Sequence, residues 1–125
     1  MPKYANAGEM RTPILIENPV REATSNGYIA ETWKNPFGVG VTLRAKWVNI
    51  HGTEVFEAMG LDLREPATLT LRYTDKVTIY SRILKAADIG KPDQAERYYE
   101  VISIDDIDER HAQMELKIQR KRSAP

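Results

Sequence analysis

The chain contains no cysteine. That excludes a disulfide-stapled scaffold, a thiolate zinc centre, an iron–sulfur site and a cysteine nucleophile, and it fits a reducing compartment. Net charge is missing too, because eighteen basic residues balance eighteen acidic ones. A dedicated nucleic-acid binder carries a basic surplus, since its affinity comes from neutralised phosphates. Nowhere does the sequence approach the roughly 18 consecutive apolar residues of a membrane helix. The opening Met1-Pro2-Lys3-Tyr4-Ala5-Asn6 has no apolar centre of the kind a secretory signal needs. A soluble, cytosolic chain with no membrane partner is the expectation. There are no internal repeats and no low-complexity stretch.

What is present is ordinary apolar content, 42% of 125 residues, with 29% charged. A chain of this length buries about two-thirds of its unfolded surface, so one compact domain is expected and wholesale disorder is excluded. The dominant periodicity is two, the mark of half-buried strands. Met114, Leu116 and Ile118 alternate with Glu115, Lys117 and Gln119. Leu69, Leu71 and Tyr73 alternate with Thr68, Thr70 and Arg72. Val41, Leu43, Ala45 and Trp47 do the same, and the phase change at Val48 and Ile50 suggests a bulge or bend. Residues 11–17 form a first strand, in which Pro13 argues for an edge or a strand start. Asn26-Gly27 is a hairpin signal leading into a strand at 28–33. Residues 98–104 read as a further strand, and 77–84 as extended.

Residues 53–63 break the pattern. Val55, Phe56, Met59 and Leu63 recur at helical spacing, Thr53 can cap the N-terminus, and Pro66 forbids continuation. A second, weaker helical stretch falls at 93–97. The expected fold is mainly β: a small antiparallel β-barrel or sandwich of six or seven strands with one short inserted α-helix. A flexible N-terminus at 1–10, a barrel domain at 11–119 with the insertion at 51–66, and a basic tail at 120–125 complete the expected organisation.

No catalytic constellation stands out. His51 and His111 lie far apart, with no serine or cysteine partner, and read as turn or surface residues. Asp105, Asp106, Asp108 and Glu109 invite a calcium loop, but Arg110 stands where a ligand belongs and no glycine follows. Gly38-Val39-Gly40 is not followed by the Lys-Ser/Thr of a phosphate loop. The expectation is a non-enzyme with no metal and no cofactor. Charge is locally uneven. The acidic run Asp105, Asp106, Asp108, Glu109 and the basic Lys117, Arg120, Lys121, Arg122 are either a solvated turn and a solvated tail, or one subunit's tail meeting a neighbour's acidic turn.

The order of motifs resembles a known family. Arg11-Thr12-Pro13-Ile14-Leu15-Ile16-Glu17-Asn18-Pro19 opens it. Trp47, Gly52-Thr53-Glu54-Val55-Phe56-Glu57-Ala58, Thr68-Leu69-Thr70-Leu71-Arg72-Tyr73 and Ser81-Arg82-Ile83 follow. The run from Tyr98 to Arg110 and the closing strand 114–118 end it. This set resembles the head–tail joining proteins of tailed bacteriophages: head-completion, adaptor or stopper proteins. The stretch 86–96 is longer than is usual there.

The resemblance implies a virion protein that forms a ring, expected to be dodecameric, beneath the portal. The partners it implies are further copies of the chain, a portal or adaptor protein on the head side and a tail protein beyond. Genomic double-stranded DNA would pass through the channel without sequence-specific contact. In some relatives an inserted loop closes that channel. Gly52, Glu54, Phe56, Met59 and Gly60 are therefore the candidate gating or channel segment, the plainer alternative being a helix that caps the barrel. Two other readings stay open. One is a tail-side completion protein. The other is a monomeric OB- or SH3-like barrel binding single-stranded nucleic acid through Tyr73, Tyr80, Tyr98 and Tyr99.

Overall fold

The computed structural model describes residues 5–50 and 65–121. Seven strands run through them: β1 Thr12–Ala23, β2 Ile29–Lys34, β3 Leu43–Asn49, β4 Ala67–Arg72, β5 Arg82–Lys85, β6 Tyr99–Asp106 and β7 Gln113–Arg120. All pairings are antiparallel, in the order β2-β1-β3-β4-β7-β6-β5. A further pairing of β1 with β5 closes six of the strands into a barrel, and β2 is the extra strand outside it. Helical structure among the described residues is confined to short 3-10 turns. The segment that carries the expected α-helix, with Gly52, Glu54, Phe56, Met59 and Gly60, lies outside the described residues, as does Arg122.

Alternating side chains build the core. Leu69, Leu71 and Ala67 of β4 face Leu116, Met114 and Ile118 of β7 directly across the ladder, and all six are buried. Ile14 and Ile16 of β1, Ala45 of β3, Ile83 of β5 and Val101 of β6 complete the interior. Each fully buried Leu or Ile contributes about 1.5–3 kcal/mol, which is what holds so small a barrel shut.

The structure departs from the period-two reading in three instructive places. The register of β3 against β4 is continuous, and Val48 simply faces outward; the register shift falls in β6, between Val101 and Ser103. One extra residue there moves the inward phase from Tyr99 and Val101 to Ile104. The extended stretch expected at 77–84 keeps only Arg82–Lys85 as strand. Before it, hydroxyls claim the backbone: the Thr78 N–H donates to Ser81 Oγ at 2.9 Å and the Tyr80 N–H to Thr78 Oγ1 at 3.1 Å. Finally, β1 does not stop at Glu17 but runs on to Ala23, because its second half gains a new partner in β2. At 93–97 the chain forms only the 3-10 turn Gln94–Glu96.

Both ends of the described chain are tied down. The Ala5 N–H donates to Gln113 Oε1 at 2.8 Å, and Gln113 Nε2 donates back to the Ala5 carbonyl at 2.9 Å. Met10 is buried, and Glu9 pairs with Lys46 at 2.9 Å. At the other end, Arg120 belongs to β7 and the Lys121 N–H donates to the Tyr98 carbonyl at 2.8 Å. Sequence pattern gives no hint of these anchors, since they rest on single side chains and backbone groups far apart in the chain.

Candidate functional site

β1 serves two structures in succession. Thr12 to Ile14 pair with β3, Ile14 to Glu17 pair with β5, and Asn18 to Ala23 pair with β2 alone. The last stretch and β2 form a two-stranded arm. Its turn carries Gly27 at φ +80°, a left-handed conformation that a side chain strains. At the tip Tyr28 and Ile29 are 74% and 72% exposed.

A stacked cation fixes the arm to the barrel. The Arg82 guanidinium lies 4.2 Å from the ring centre of Trp33 in β2 and 3.8 Å from that of Tyr98. The same group binds Glu17 through Nε and Nη2, each 2.9 Å from Oε1. Both side chains of this ion pair are about one-fifth exposed or less, so it acts in a poorly solvated place. Asn18 adds a second tie, donating to the Lys76 carbonyl at 2.7 Å and accepting from the Ser81 hydroxyl. Lys121 covers Trp33 from another side, its Nζ 4.5 Å from the ring centre.

The insertion between β3 and β4 leaves from a closed base. The Ile50 N–H donates to the Pro66 carbonyl at 3.0 Å, so the two stems meet. Arg120 clamps this base: its Nη2 lies 2.8 Å from Glu65 Oε2, its Nη1 donates to the Glu96 carbonyl at 3.2 Å, and its guanidinium sits 4.9 Å from the Tyr99 ring centre. Tyr99 in turn meets Trp47 edge-on at 4.9 Å. Arg120 and Lys121 are adjacent residues. One holds the base at Glu65 and the other the arm at Trp33, so the end of β7 touches both.

Those two basic residues were candidate contacts to other subunits; in the structure each already has partners in its own chain. Lys117 is exposed on the outer face of β7, opposite Thr68. The acidic candidates gather at the far end of β6. Asp105 stands directly opposite Glu115, and Asp108 and Glu109 occupy a turn at φ +56° and +55°. Among the described residues none of these four carboxylates has an ion-pair partner. Asp106 is different, since it accepts from the His111 N–H at 2.9 Å and pairs with His111 Nδ1. The His111 ring lies 4.5 Å from that of Tyr73. Among the described residues no cluster of three or more His, Cys, Asp or Glu is placed to hold a metal ion.

Two carboxylates are held below their usual range. The Asn6 N–H, then Lys46, does this for Glu9, and the Arg97 guanidinium does it for Asp93. The tyrosines proposed to stack on bases do not form a platform. Tyr98 and Tyr99 are buried and Tyr73 is half-buried, which leaves only Tyr80 exposed among them. Sequence reasoning missed Trp33, Arg82 and Glu17, because period two places them on strands without saying that three strands converge.

The described residues form a closed six-stranded barrel that carries a two-stranded arm, tied to it at Glu17, Asn18 and Arg82. The chain belongs to the phage head completion protein family, whose model matches residues 5–121. It is a structural protein of the virion's head–tail region. Solved structures share its fold, among them the following two. The solution structure of protein SF1141 from Shigella flexneri 2a has a TM-score of 0.67 at 22% identity, covering 96% of this chain and 100% of that one. A chain from the virion of a native gene transfer agent particle has a TM-score of 0.50 at 13% identity, covering 91% and 98%. No curated protein matches the chain significantly.

Proposed function

We propose that the protein is a non-enzymatic connector of the phage neck. Copies assemble as a ring, a dodecamer, beneath the portal; the ring joins head to tail, and the genome passes through it. The observation that carries this reading is family membership over residues 5–121, and a closed barrel with an anchored arm suits it. The solved chain of similar fold from a gene transfer agent virion adds support at the level of architecture. Zero net charge fits a conduit, because a strongly basic lumen would hold duplex DNA rather than pass it.

Within this reading the segment 52–60, with Gly52, Glu54, Phe56, Met59 and Gly60, lines or closes the channel. Asp105, Asp108 and Glu109, which have no ion-pair partner among the described residues, offer a docking face to a basic surface on a neighbouring ring. Lys117 is the one described basic candidate left exposed without a partner in its own chain.

Imaging DNA-filled heads with and without the protein tests the connector: it must add a layer beneath the portal. Heads that bind tails normally without it refute the proposal. Deleting residues 54–60 tests the channel role separately, since retained DNA in such heads refutes the gate and leaves the ring standing.

A further inference from the structure

The arm carries two open sheet edges, one on each side. Every barrel strand has a strand on both sides, whereas β2 pairs with β1 alone and residues 18–23 pair with β2 alone. Antiparallel strands bond to each other through alternate residues. The Thr24 N–H donates to the Tyr28 carbonyl at 2.6 Å, which sets the alternation. Asn18, Val20 and Glu22 therefore bond to Lys34, Thr32 and Ala30 within the hairpin. Arg21 and Ala23 of β1, and Ile29, Glu31 and Trp33 of β2, turn their N–H and C=O groups away from it. Beyond the β1–β2 ladder these five residues form no backbone hydrogen bond among the described residues. Pro19 lies on the same outward side of β1, where its missing N–H breaks no ladder bond.

The chain cannot close these edges on each other, because they lie on opposite sides of one ribbon. A two-stranded ribbon is marginal by itself, and an open edge is a template for a further strand. Residues 21–23 are exposed, as are Ile29, Glu31 and Thr32, so both edges are accessible. Asn18 and the Arg82 stack hold the root of the arm in place.

The geometry points to the β2 edge of one copy adding to the β1 edge of the next. Copies related by rotation about an axis along the strands bring β2 against β1 in opposite directions, so the pairing is antiparallel. Repeating the hairpin's own register across the seam pairs Ala23 with Ile29 and Arg21 with Glu31, which gives about four backbone hydrogen bonds and brings no like charges together. The two edges are different surfaces, so the contact is head-to-tail and closes into a ring when the rotation permits. Two β2 edges meeting would stop at a pair. The inference rests on the ring reading above and assigns one side-to-side contact of that ring. So short a seam buries less than the ~1,000 Å² of a stable isolated interface, and it gains strength through closure.

The test uses assembled virions, and the chain has no cysteine of its own to interfere. Glu22 and Ala30 face each other within the hairpin as well as across the seam, so the two cysteines are placed in separate chains. Virions assembled from a mixture of Glu22→Cys and Ala30→Cys chains are expected, on oxidation, to give a covalent dimer with one chain of each kind, while either variant alone stays monomeric. A layer beneath the portal without the mixed dimer overturns the seam and leaves the ring standing; neither layer nor dimer overturns both. A dimer of two Ala30→Cys chains overturns the seam in favour of β2 edges meeting. Independently, Glu31→Pro removes one outward donor and no bond of the hairpin. It is expected to lower the yield of tailed, filled particles by about tenfold, at unchanged melting temperature. Glu31→Gln removes the charge, keeps the donor and should leave the yield normal. Normal yield from Glu31→Pro, or an equal loss from Glu31→Gln, refutes the edge pairing.

Discussion

Replacing Arg82 by alanine is the most informative single perturbation of the described structure. The guanidinium does three things at once: it stacks on Trp33 at 4.2 Å, on Tyr98 at 3.8 Å, and forms a two-nitrogen contact with Glu17. A cation over an aromatic face is worth roughly 0.5–1 kcal/mol in water and about 2 when desolvated. Two such contacts at a site one-fifth exposed contribute about 2 kcal/mol together. Removing the cation also leaves Glu17 poorly solvated and unpaired, at a further cost of about 1–2 kcal/mol. The expected loss is about 3–4 kcal/mol, or a fall in Tm on the order of 10 °C.

Arg82→Lys keeps the charge but loses the planar fork, and should cost about half as much. The internal control is Arg21→Ala, because the Arg21–Glu31 pair is 3.9 Å long and exposed, and such pairs are worth about 0–1 kcal/mol. Urea unfolding followed by tryptophan fluorescence reads both variants, and a Trp47→Phe background leaves Trp33 as the reporter. If Arg82→Ala costs less than about 1 kcal/mol, or no more than Arg21→Ala, then the stack does not seat the arm and the reasoning fails.

Other parts of the fold carry their own tests. Gly27→Ala forces a side chain into φ +80° and should destabilise by about 1–2 kcal/mol, with exchange-broadened NMR signals confined to 22–31 if the arm alone responds. Leu116→Ala, fully buried and facing Leu69, should cost about 2–5 kcal/mol in the same urea assay. Gln113→Ala removes both hydrogen bonds to Ala5, and hydrogen exchange should quicken across 5–10 while β4 and β7 stay protected. Glu9 is held low by the Asn6 N–H and Lys46, so its contribution is complete above the ordinary glutamate range near pH 4.3 and is lost as pH falls through its lower folded value. Glu9→Gln should flatten stability below about pH 4 and leave the slope above pH 5 unchanged.

The barrel strands were legible because each buries one face. Met114, Leu116 and Ile118 announce β7 in sequence, and the structure buries all three. The arm was legible only in its turn, since Asn26-Gly27 marks the reversal but says nothing of how far the strands run. β1 passes Asn18-Pro19 without breaking because its pairing changes hands there, and no local pattern records a change of partner. The bulge escaped for a similar reason. Val48 and Ile50 looked out of phase, yet one is merely exposed, whereas in β6 two inward residues before the shift hide it. The Arg82 stack depends on three segments meeting in space, and charge counting along the chain leaves Arg120 and Lys121 as either a solvated tail or contacts to a neighbour. Their partners Glu65 and Trp33 lie 55 and 88 positions away in sequence, beyond any periodic signal.

That β1 is shared between barrel and arm has a mechanical consequence. A force on the arm runs along β1 into the barrel wall, because Glu17 is the last residue paired to β5 and Asn18 the first paired to β2. At this point of transfer lie the two side-chain ties, Glu17 to Arg82 and Asn18 to Lys76 and Ser81. Arg82 itself starts β5, so the load is spread over a second barrel strand rather than peeled from one. Peeling breaks ladder bonds one at a time, whereas a load shared across two bonded strands must break several together, and only the second resists a sustained pull. The junction therefore fixes the arm's position on the barrel through two strands and three side chains, Glu17, Asn18 and Arg82.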